Sequence, residues 1–232
     1  MEIDLAGPPM VKLLNYIILL FNMSNLSIGI DFGGTSIKVG VVSVKEIIHE
    51  SARIDPKGHT SATELIDILA ETIRNLRDEF PEIRSIGCGV PGFVDFPTGI
   101  IHNLTNVEGW VQVPLKKELE ARTGLPVAVE NDANCMAIAE WKLGAGAGYE
   151  DLVCVTLGTG VGGGIIANNQ MVRGARYAAG ELGQASIDYQ GVAGNYDNRG
   201  AIEKYIGNNQ IAEFVQQSYR AAGIEKSLEE SF

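Results

Sequence analysis

The stretch GIDFGGTSIK, residues 29–38, decides how this chain is interpreted, because it places two adjacent glycines between two apolar runs. The run before the glycines, Leu26–Asp31, and the run after them, Ile37–Val44, are predicted to be β-strands. Glycine tolerates positive φ, so consecutive backbone N–H groups in such a turn can converge on an anion. The stretch is therefore a candidate phosphate-binding turn.

Three known nucleotide motifs compete for the glycines of this chain. Asp31-Phe32-Gly33 matches the DFG of protein kinases, but in that family a glycine loop and an HRD motif precede DFG, whereas here DFG comes first and HRD is absent from the sequence. The P-loop pattern GxxxxGK[ST] is absent as well. GTGVGG, residues 158–163, satisfies the dinucleotide pattern GxGxxG, yet the residues after it are typical of a hairpin and not of the required helix. None of the three motifs fits its context.

A fourth interpretation explains both glycine-rich stretches together. Asp31–Thr35 and Leu157–Gly164 are each predicted to be a turn between two strands, and such turns bind phosphate through backbone N–H groups. The candidate ATP phosphate contacts are the turn glycines, two hydroxyls and one lysine: Gly33, Gly34, Thr35, Lys38, Gly158, Thr159 and Gly160. Asp31 is predicted to orient Mg²⁺, directly or through water, because this ion keeps most of its waters and takes few carboxylates.

Other patterns along the chain predict an α/β arrangement. Ser61–Phe80 is the clearest helix, since Ser61 and Glu64 form a capping box before an apolar stripe. Ser85–Val90 is predicted to be a buried strand, and Pro114–Thr123 a second helix that ends at a glycine. Strands that alternate with helices are typical of layered α/β proteins.

Five motifs, in this order, make a family resemblance specific: IGIDFGGTSIKVGVV, GCGVPGFVD, VENDANCMAIAEWKLGAG, VTLGTGVGGGII and RGARYAAGELG. Together they resemble the ROK family of bacterial repressors, open-reading-frame products and sugar kinases, over about residues 26–207. The resemblance implies an α/β fold of the sugar-kinase/actin/Hsp70 type, which is ribonuclease H-like. In that fold two domains enclose the active site in the cleft between them.

The domain boundaries are inferred from the order of these motifs. Residues 1–22 are expected to be an extension that the fold does not need, since the apolar run Val11–Phe21 is too short to span a bilayer and lacks the flanks of a signal peptide. Residues 23–132 are predicted to form an N-terminal α/β domain with the first turn, and residues 133–232 a C-terminal α/β domain with the second. Family members carry a further glycine-rich adenine loop, so we expect this chain to be truncated and its nucleotide site incomplete.

The reaction centre implied by the resemblance lies in ENDAN. Asp132 would be the general base for the attacking sugar hydroxyl, with Asn131 binding the sugar beside it. LPVAVEND is predicted to be a strand that runs into a polar loop before a helix, and the helix N-terminus is expected to keep Asp132 ionised. A simple N-cap role explains Asp132 equally well. The implied sugar contacts are six polar residues: Asn103, Asn131, Asp132, Glu181, Gln184 and Glu203. For Glu203 a solvated helix position is the alternative.

The sequence departs from the family at a structural zinc site. Many ROK proteins hold zinc with one His and three Cys, whereas this sequence has other residues at those four positions: Gln184, Gly194, Tyr196 and Ala201. With all four ligands absent we predict no zinc, and a loop held by packing and hydrogen bonds that involve Tyr196 and Arg199. Because the His position borders the sugar pocket, Gln184 is expected to influence substrate preference.

The composition of the chain limits the kinds of partner that it is expected to bind. The formal net charge of −11, without any cluster of Lys and Arg, disfavours nucleic-acid binding. Cysteines at positions 88, 135 and 154 are too far apart for a disulfide framework and indicate a reducing, cytoplasmic setting. No membrane partner is predicted, and the resemblance implies a homodimer.

The leading hypothesis from the sequence is an ATP-dependent, glucokinase-like sugar kinase that uses Mg²⁺. N-acetylglucosamine, N-acetylmannosamine, mannose and fructose stay open as substrates, and so does a phosphate donor other than ATP. A repressor of the same family would need a helix-turn-helix ahead of the first strand, and the 25 residues before Leu26 hold one basic residue. A sugar-binding module without catalysis is the remaining alternative.

Overall fold

The computed structural model describes residues 26–33, 36–44, 46–57, 59, 61–104, 107 and 109–224. The strands are β1 (Leu26–Phe32), β2 (Ile37–Val42), β3 (Ile47–Glu50), β4 (Ile83–Val90), β5 (Val94–Asp95), β6 (Ile100–Asn103), β7 (Val111–Pro114), β8 (Val127–Asn131), β9 (Leu152–Leu157), β10 (Val161–Ala167) and β11 (Gln170–Met171). The helices are α1 (Ala62–Glu79), α2 (Leu115–Thr123), α3 (Asp132–Leu143), α4 (Glu203–Ile206) and α5 (Asn208–Ala221), with one 3₁₀ turn at Leu182–Gln184. The predicted extension at residues 1–22 lies outside the described residues, as do Gly34 and Thr35.

The largest layer is a five-stranded mixed sheet with the strand order β3-β2-β1-β4-β8. β1 pairs in parallel with β4, and β4 with β8, whereas β2 and β3 add an antiparallel edge. The central strands are nearly continuous apolar runs, as expected for strands that are buried on both faces. Apolar residues of α1 and α2 join the core of this sheet: Leu65, Leu69, Ile73, Leu115 and Leu119.

The helix predictions in this region are confirmed. The hydroxyl of Ser61 caps α1 by accepting a hydrogen bond from the N–H of Glu64 at 3.2 Å. Helix α2 ends at Gly124, which has a φ of 69°, a left-handed conformation that glycine adopts at little cost. The second predicted strand is two residues too long, because β2 ends at Val42 and the next residues enter a turn.

A small antiparallel sheet, β5-β6-β7, follows the turn at Pro91-Gly92. Trp110, just before β7, is only 1% exposed, and its ring centroid lies 4.8 Å from that of Phe32 at the end of β1. The small sheet is therefore packed on the large one beside the first glycine turn.

The second half of the chain pairs the sheet β11-β10-β9 with helix α3. β10 reads VGGGIIA, and its glycines are needed because α3 lies directly on the strand. A Cβ atom on Gly164 would collide with the Cβ of Ala137, and one on Gly162 would lie 2.9 Å from the Cβ of Ala133. Because a strand and not a helix follows the glycines of GTGVGG, the pattern lacks the context that dinucleotide binding requires.

A membrane-spanning helix is not found: none of the helices in the described ranges has the length and apolar character that crossing a bilayer requires.

Candidate active site

Asp132 lies where β8 of the large sheet passes directly into α3. The predicted polar loop at this point is wrong, because Asn131 is both the last residue of the strand and the N-cap of the helix. The side-chain oxygen of Asn131 accepts a hydrogen bond from the N–H of Asn134 at 3.0 Å, and its Nδ2 donates to the carbonyl of Gly92 at 3.0 Å. The N-cap interpretation of Asp132 is therefore wrong as well, since its neighbour fills that role.

The electrostatic environment of Asp132 differs from the expectation. The pKa of Asp132 is raised to about 6, chiefly because the carboxyl group is buried, and also because Asp31 and Glu181 place negative charge nearby. The N–H of Ala133 donates to Oδ1 at 2.8 Å and lowers the pKa, but burial has the larger effect. A pKa of about 6 leaves the carboxylate mainly ionised at pH 7.

The first glycine turn joins β1 to β2, and Asp31 faces Lys38 across these strands. Nζ of Lys38 donates to the Asp31 carboxylate at 3.1 Å, so the predicted metal-orienting residue and the predicted phosphate-binding lysine form an ion pair. The N–H of Gly33 donates to the carbonyl of Ser36 at 3.0 Å, and a Cβ on Gly33 would lie 2.7 Å from that oxygen. Only a glycine fits this position without displacing the turn.

The second glycine turn joins β9 to β10. It is closed by a hydrogen bond from the N–H of Gly158 to the carbonyl of Gly160 at 2.9 Å, and the N–H of Asn208 donates to the carbonyl of Gly158 at 2.9 Å. Thr159, at the tip, is exposed. The start of helix α5 is thereby fixed against the turn.

Glu203 belongs to this second turn and is not the solvated helix residue of the alternative interpretation. Its Oε2 accepts a hydrogen bond from the N–H of Val161 at 3.1 Å, and the carboxylate packs directly against the Cα of Gly160. Its Oε1 accepts from Nδ2 of Asn195 at 2.7 Å and from Nε2 of Gln184 at 3.4 Å. Both oxygens of Glu203 are therefore engaged by the protein.

The carboxylate of Glu181 interacts electrostatically with both Asp132 and Glu203. Its negative charge raises the pKa of Asp132, while burial and the charge of Glu203 raise the pKa of Glu181 itself. Within the described part of the chain, its carboxylate has no side-chain hydrogen bond. The charges of Asp31 and Glu181 thus act on Asp132, and that of Glu203 acts on Glu181; these four electrostatically linked carboxylates are called the acidic row.

Gln184, at the family's zinc-ligand position, contacts the row through Glu203. Its side-chain Oε1 is buried and has no hydrogen-bond partner among the described residues. Its backbone carbonyl accepts from Nδ2 of Asn198 at 2.9 Å, which ties the 3₁₀ turn to the following loop. An unpaired amide oxygen beside the acidic row is suited to receive a hydroxyl from a ligand.

The loop between Ala185 and Ile202 is held by backbone hydrogen bonds, to which two asparagine side chains add. Asn195 and Asn198 make the side-chain contacts described above, and Arg199 contributes only its carbonyl, which accepts from the hydroxyl of Ser186 at 2.6 Å. Tyr196 meets the ring of Phe93 edge-on at 6.2 Å. Sequence reasoning named Tyr196 and Arg199 and missed the two asparagines, for which NYDN offered no recognisable signal.

Within the described ranges, no three or more His, Cys, Asp or Glu residues form a group that could hold a metal.

Asn103, the weakest of the predicted sugar contacts, ends β6 and is exposed. Its carbonyl would lie 3.0 Å from a Cβ on Gly92, the residue whose own carbonyl accepts from Asn131. Asn103 is therefore near the strand–helix junction, two contacts away from Asp132.

Two further residues behind the junction were missed from the sequence. Glu130 is 4% exposed and forms an ion pair with Arg173, with 2.7 Å between Oε2 and Nε. The two residues are 43 positions apart, so no local pattern could have paired them.

Comparisons with known proteins agree with this architecture. Residues 27–230 match the ROK family. The chain is 36% identical to a glucokinase of Streptomyces coelicolor over 196 residues, which are 84% of this chain and 61% of that protein. It is 41% identical to a beta-glucoside kinase of Listeria monocytogenes over 153 residues, which are 66% of this chain and 50% of that protein. The chain thus spans only part of the length of these curated relatives.

A solved structure of a ROK family protein has a similar fold. A ROK family glucokinase from Streptomyces griseus, in complex with glucose and AMPPNP, superposes with a TM-score of 0.70 at 33% sequence identity, over 85% of this chain and 62% of that one. The predicted α/β fold of the sugar-kinase/actin/Hsp70 type is confirmed. From its motifs, its sheet order and this match over most of its length, the chain belongs to the ROK family.

Proposed function

We propose that this protein is an ATP-dependent hexose kinase that phosphorylates glucose at its 6-hydroxyl, with Asp132 as the general base. The observation that supports this most directly is the carboxylate of Asp132, which has a pKa of about 6 and begins a helix at the centre of an acidic row. A general base works best with a pKa close to the working pH. The similarity to a glucokinase supports glucose as the first substrate to test.

The proposed step needs little covalent chemistry from the protein. The sugar oxygen attacks the γ-phosphorus of ATP, the bond from that phosphorus to the β–γ bridging oxygen breaks, and the hydroxyl proton passes to Asp132. The products are hexose 6-phosphate and ADP. Positioning and charge stabilisation carry most of the rate in such transfers.

The phosphates of ATP are proposed to bind between the two glycine turns through backbone N–H groups, hydroxyls and one lysine: Gly33, Gly34, Thr35, Lys38, Gly158, Thr159 and Gly160. Asp31 fits a Mg²⁺ ion held through water, because its carboxylate is partly exposed and has one partner, Lys38, among the described residues, and Mg²⁺ needs only one or two carboxylates. When bound, this ion would neutralise phosphate charge. The same carboxylate pairs with Lys38.

The sugar is proposed to bind along the acidic row, with Glu181 as its principal acceptor. The carboxylate of Glu181 has no protein partner in the described part of the chain, whereas Glu203 already accepts three hydrogen bonds. The unpaired Oε1 of Gln184 would accept one sugar hydroxyl. Asn131 and Asn103 would contact the sugar from the large-sheet side.

Other sugars compete for the same site. N-acetylhexosamines, mannose and fructose require the same chemistry, and the similarity to a beta-glucoside kinase adds glucosides to the substrates worth testing. A sugar-binding protein without catalysis would use the same acidic row and leave Asp132 idle.

An ADP-release assay over a panel of sugars tests the proposal, with wild-type protein and the Asp132→Asn variant side by side. We expect glucose-dependent ADP release by the wild type and a fall of about 10²–10⁴ in kcat for the variant, the range that a general base contributes. Equal rates for the two proteins would reject Asp132 as the base. Sugar binding by calorimetry without ADP release from any panel member would favour the non-catalytic alternative.

A further inference from the structure

A buried carboxylate stands directly behind the proposed reaction centre. Glu130 is the residue before Asn131 in β8, and both of its oxygens are used. Oε1 accepts hydrogen bonds from the N–H of Asn131 at 2.9 Å and from Nδ2 of Asn134 at 3.0 Å. Oε2 accepts from Nε of Arg173 at 2.7 Å. Glu130 therefore holds both the N-cap residue and the first turn of the helix that begins with Asp132.

Arg173 connects this carboxylate to the other side of the site. It follows β11 and opens the segment that leads to Glu181. Its Cζ lies 3.7 Å from the ring centroid of Phe96, in the small sheet region. Its carbonyl accepts a hydrogen bond from the N–H of Ala179 at 3.1 Å, which closes the loop two residues before Glu181. Arg173 is thus bonded through its side chain to β8 and through its backbone to the proposed sugar-binding loop.

The same loop also touches helix α3 next to the ion pair. A Cβ on Gly180 would lie 3.2 Å from Oδ1 of Asn134 and 2.5 Å from the carbonyl of Gly163. The amide of Asn134 is therefore held between Glu130 on one side and the backbone before Glu181 on the other. The Glu130–Arg173 ion pair and this close approach of Gly180 to Asn134 both lie between the helix that carries Asp132 and the loop that carries Glu181.

We propose that Glu130 and Arg173 form a positioning pair, which holds the base Asp132 opposite the sugar-binding Glu181. This inference rests on the proposed function. Buried ion pairs add little net stability compared with apolar replacements, so stability alone is a weak reason for this pair. Misplacement of a reacting group by about 1 Å costs about 10²-fold in rate. Loss of the pair should therefore lower kcat more than it raises the KM for sugar, because Glu181 and Gln184 stay on the loop.

The first part of the test compares three variants with wild-type protein. Arg173→Met removes the guanidinium, and the double variant Glu130→Gln/Arg173→Met removes both charges and leaves no unpaired buried carboxylate. Arg122→Met is the matched control, because Arg122 of α2 forms ion pairs with Asp67 of α1 and with Glu118 of its own helix. We expect kcat to fall about tenfold to a hundredfold in both Arg173→Met and the double variant, with the sugar KM changed less than about threefold. The control should keep kcat within about twofold.

The double variant decides between positioning and simple structural support. If the pair only supports the fold, removing both charges restores stability and kcat together, and the proposal is overturned. A thermal unfolding curve on each variant shows which proteins are folded. Arg173→Lys, which keeps the charge without the planar fork, should recover part of kcat, and a full loss equal to that of Arg173→Met would also count against the proposal.

Failure of the proposed kinase function would give a different experimental result from failure of the positioning pair. If wild-type protein releases no ADP with any sugar or glucoside, the kinase proposal fails regardless of these variants. Crystal structures of the wild type and the double variant then test the positioning role directly. A shift of the Asp132 carboxylate relative to Glu181 supports it, and unchanged coordinates of both groups reject it.

Discussion

The region built on the five-stranded sheet and the region built on β9 and β10 cover their apolar residues very differently. The core of the first region runs from Ile28 to Val129, and none of its members is more than 8% exposed. In the second region, β9 presents a row of apolar residues that are 53–61% exposed: Val153, Val155 and Leu157. Helix α5 is amphipathic, yet none of its residues is buried.

Because of this difference, the two sides of the proposed site are held in place in different ways. Asp132 and Asn131 extend from a strand of the densely packed sheet, so their backbone moves only if that core is disturbed. Glu181 and Glu203 lie on loops and a short helix whose positions depend on individual hydrogen bonds. A general base benefits from attachment to a rigid core. Residues that bind a ligand are usually found on loops, which are less stable locally.

A matched pair of valine substitutions should give the largest contrast between the two regions. Val39 in β2 is 0% exposed and Val155 in β9 is 53% exposed. Val39→Ala removes two buried methyl groups and leaves a cavity, so we expect a loss of about 1.5–3 kcal/mol in the free energy of unfolding. Val155→Ala should cost less than about 0.5 kcal/mol. Urea denaturation measures both, and equal losses would mean that β9 is covered in solution.

Asp132 depends on both regions for its charge environment, because Asp31 belongs to the first region and Glu181 to the second. Its pKa is raised from 3.8 to about 6, so ionisation costs stability in the folded state. Wild-type stability should therefore fall, relative to Asp132→Asn, as the pH rises from about 4 to about 6, and the difference should then stay constant. At pH 7 we expect the variant to be more stable by about 1–3 kcal/mol.

Urea denaturation of both proteins between pH 4 and pH 7 measures this difference. A stability difference that does not change with pH would contradict the raised pKa. Combined with the expected loss of kcat, a gain in stability would identify Asp132 as a group held in an unfavourable ionisation state for the sake of function.

Local patterns in the sequence predicted the elements around both glycine turns, apart from the last two residues assigned to β2, because strand periodicity and the positions of glycines depend on neighbouring residues alone. The junction at Asn131 was mispredicted for the same reason. One residue there serves as both strand end and N-cap, and a pattern that assigns each residue to one element inserts a loop between them.

Contacts between distant parts of the chain could not be predicted from such patterns. Oε2 of Glu203 accepts from Val161, 42 residues away, and Glu203 was left open as a solvated residue because its helix alone gives no hint of that partner. The pKa of Asp132 is a similar case. The helix N-terminus was visible in the sequence, whereas the burial that outweighs it depends on the packing of the whole fold.

The loop at residues 185–202 should respond locally to the loss of one asparagine. Asn198→Ala removes the hydrogen bond to the carbonyl of Gln184, so we expect the loop to open more often while the free energy of global unfolding changes by about 1 kcal/mol or less. Trypsin should then cleave faster after Arg199, which is exposed. Gln190→Ala, an exposed change in the same loop, is the control and should leave the cleavage rate unchanged. Equal cleavage of all three proteins would show that packing, and not Asn198, holds the loop.

The smallest effect expected is a shift in the pH profile on removal of one acidic neighbour of the base. The charged groups that raise the pKa of Asp132 are Asp31 and Glu181. Glu181→Gln removes one negative charge, so the pKa of Asp132 should fall and the acidic limb of kcat/KM should move to lower pH by a fraction of a unit. Glu213→Gln, on the exposed side of α5, should leave the limb in place. A limb that moved to higher pH in Glu181→Gln would contradict the sign of this charge effect. If the limb stayed at the wild-type position, Glu181 would not contribute to the electrostatics of the base, and burial would be sufficient to explain its pKa.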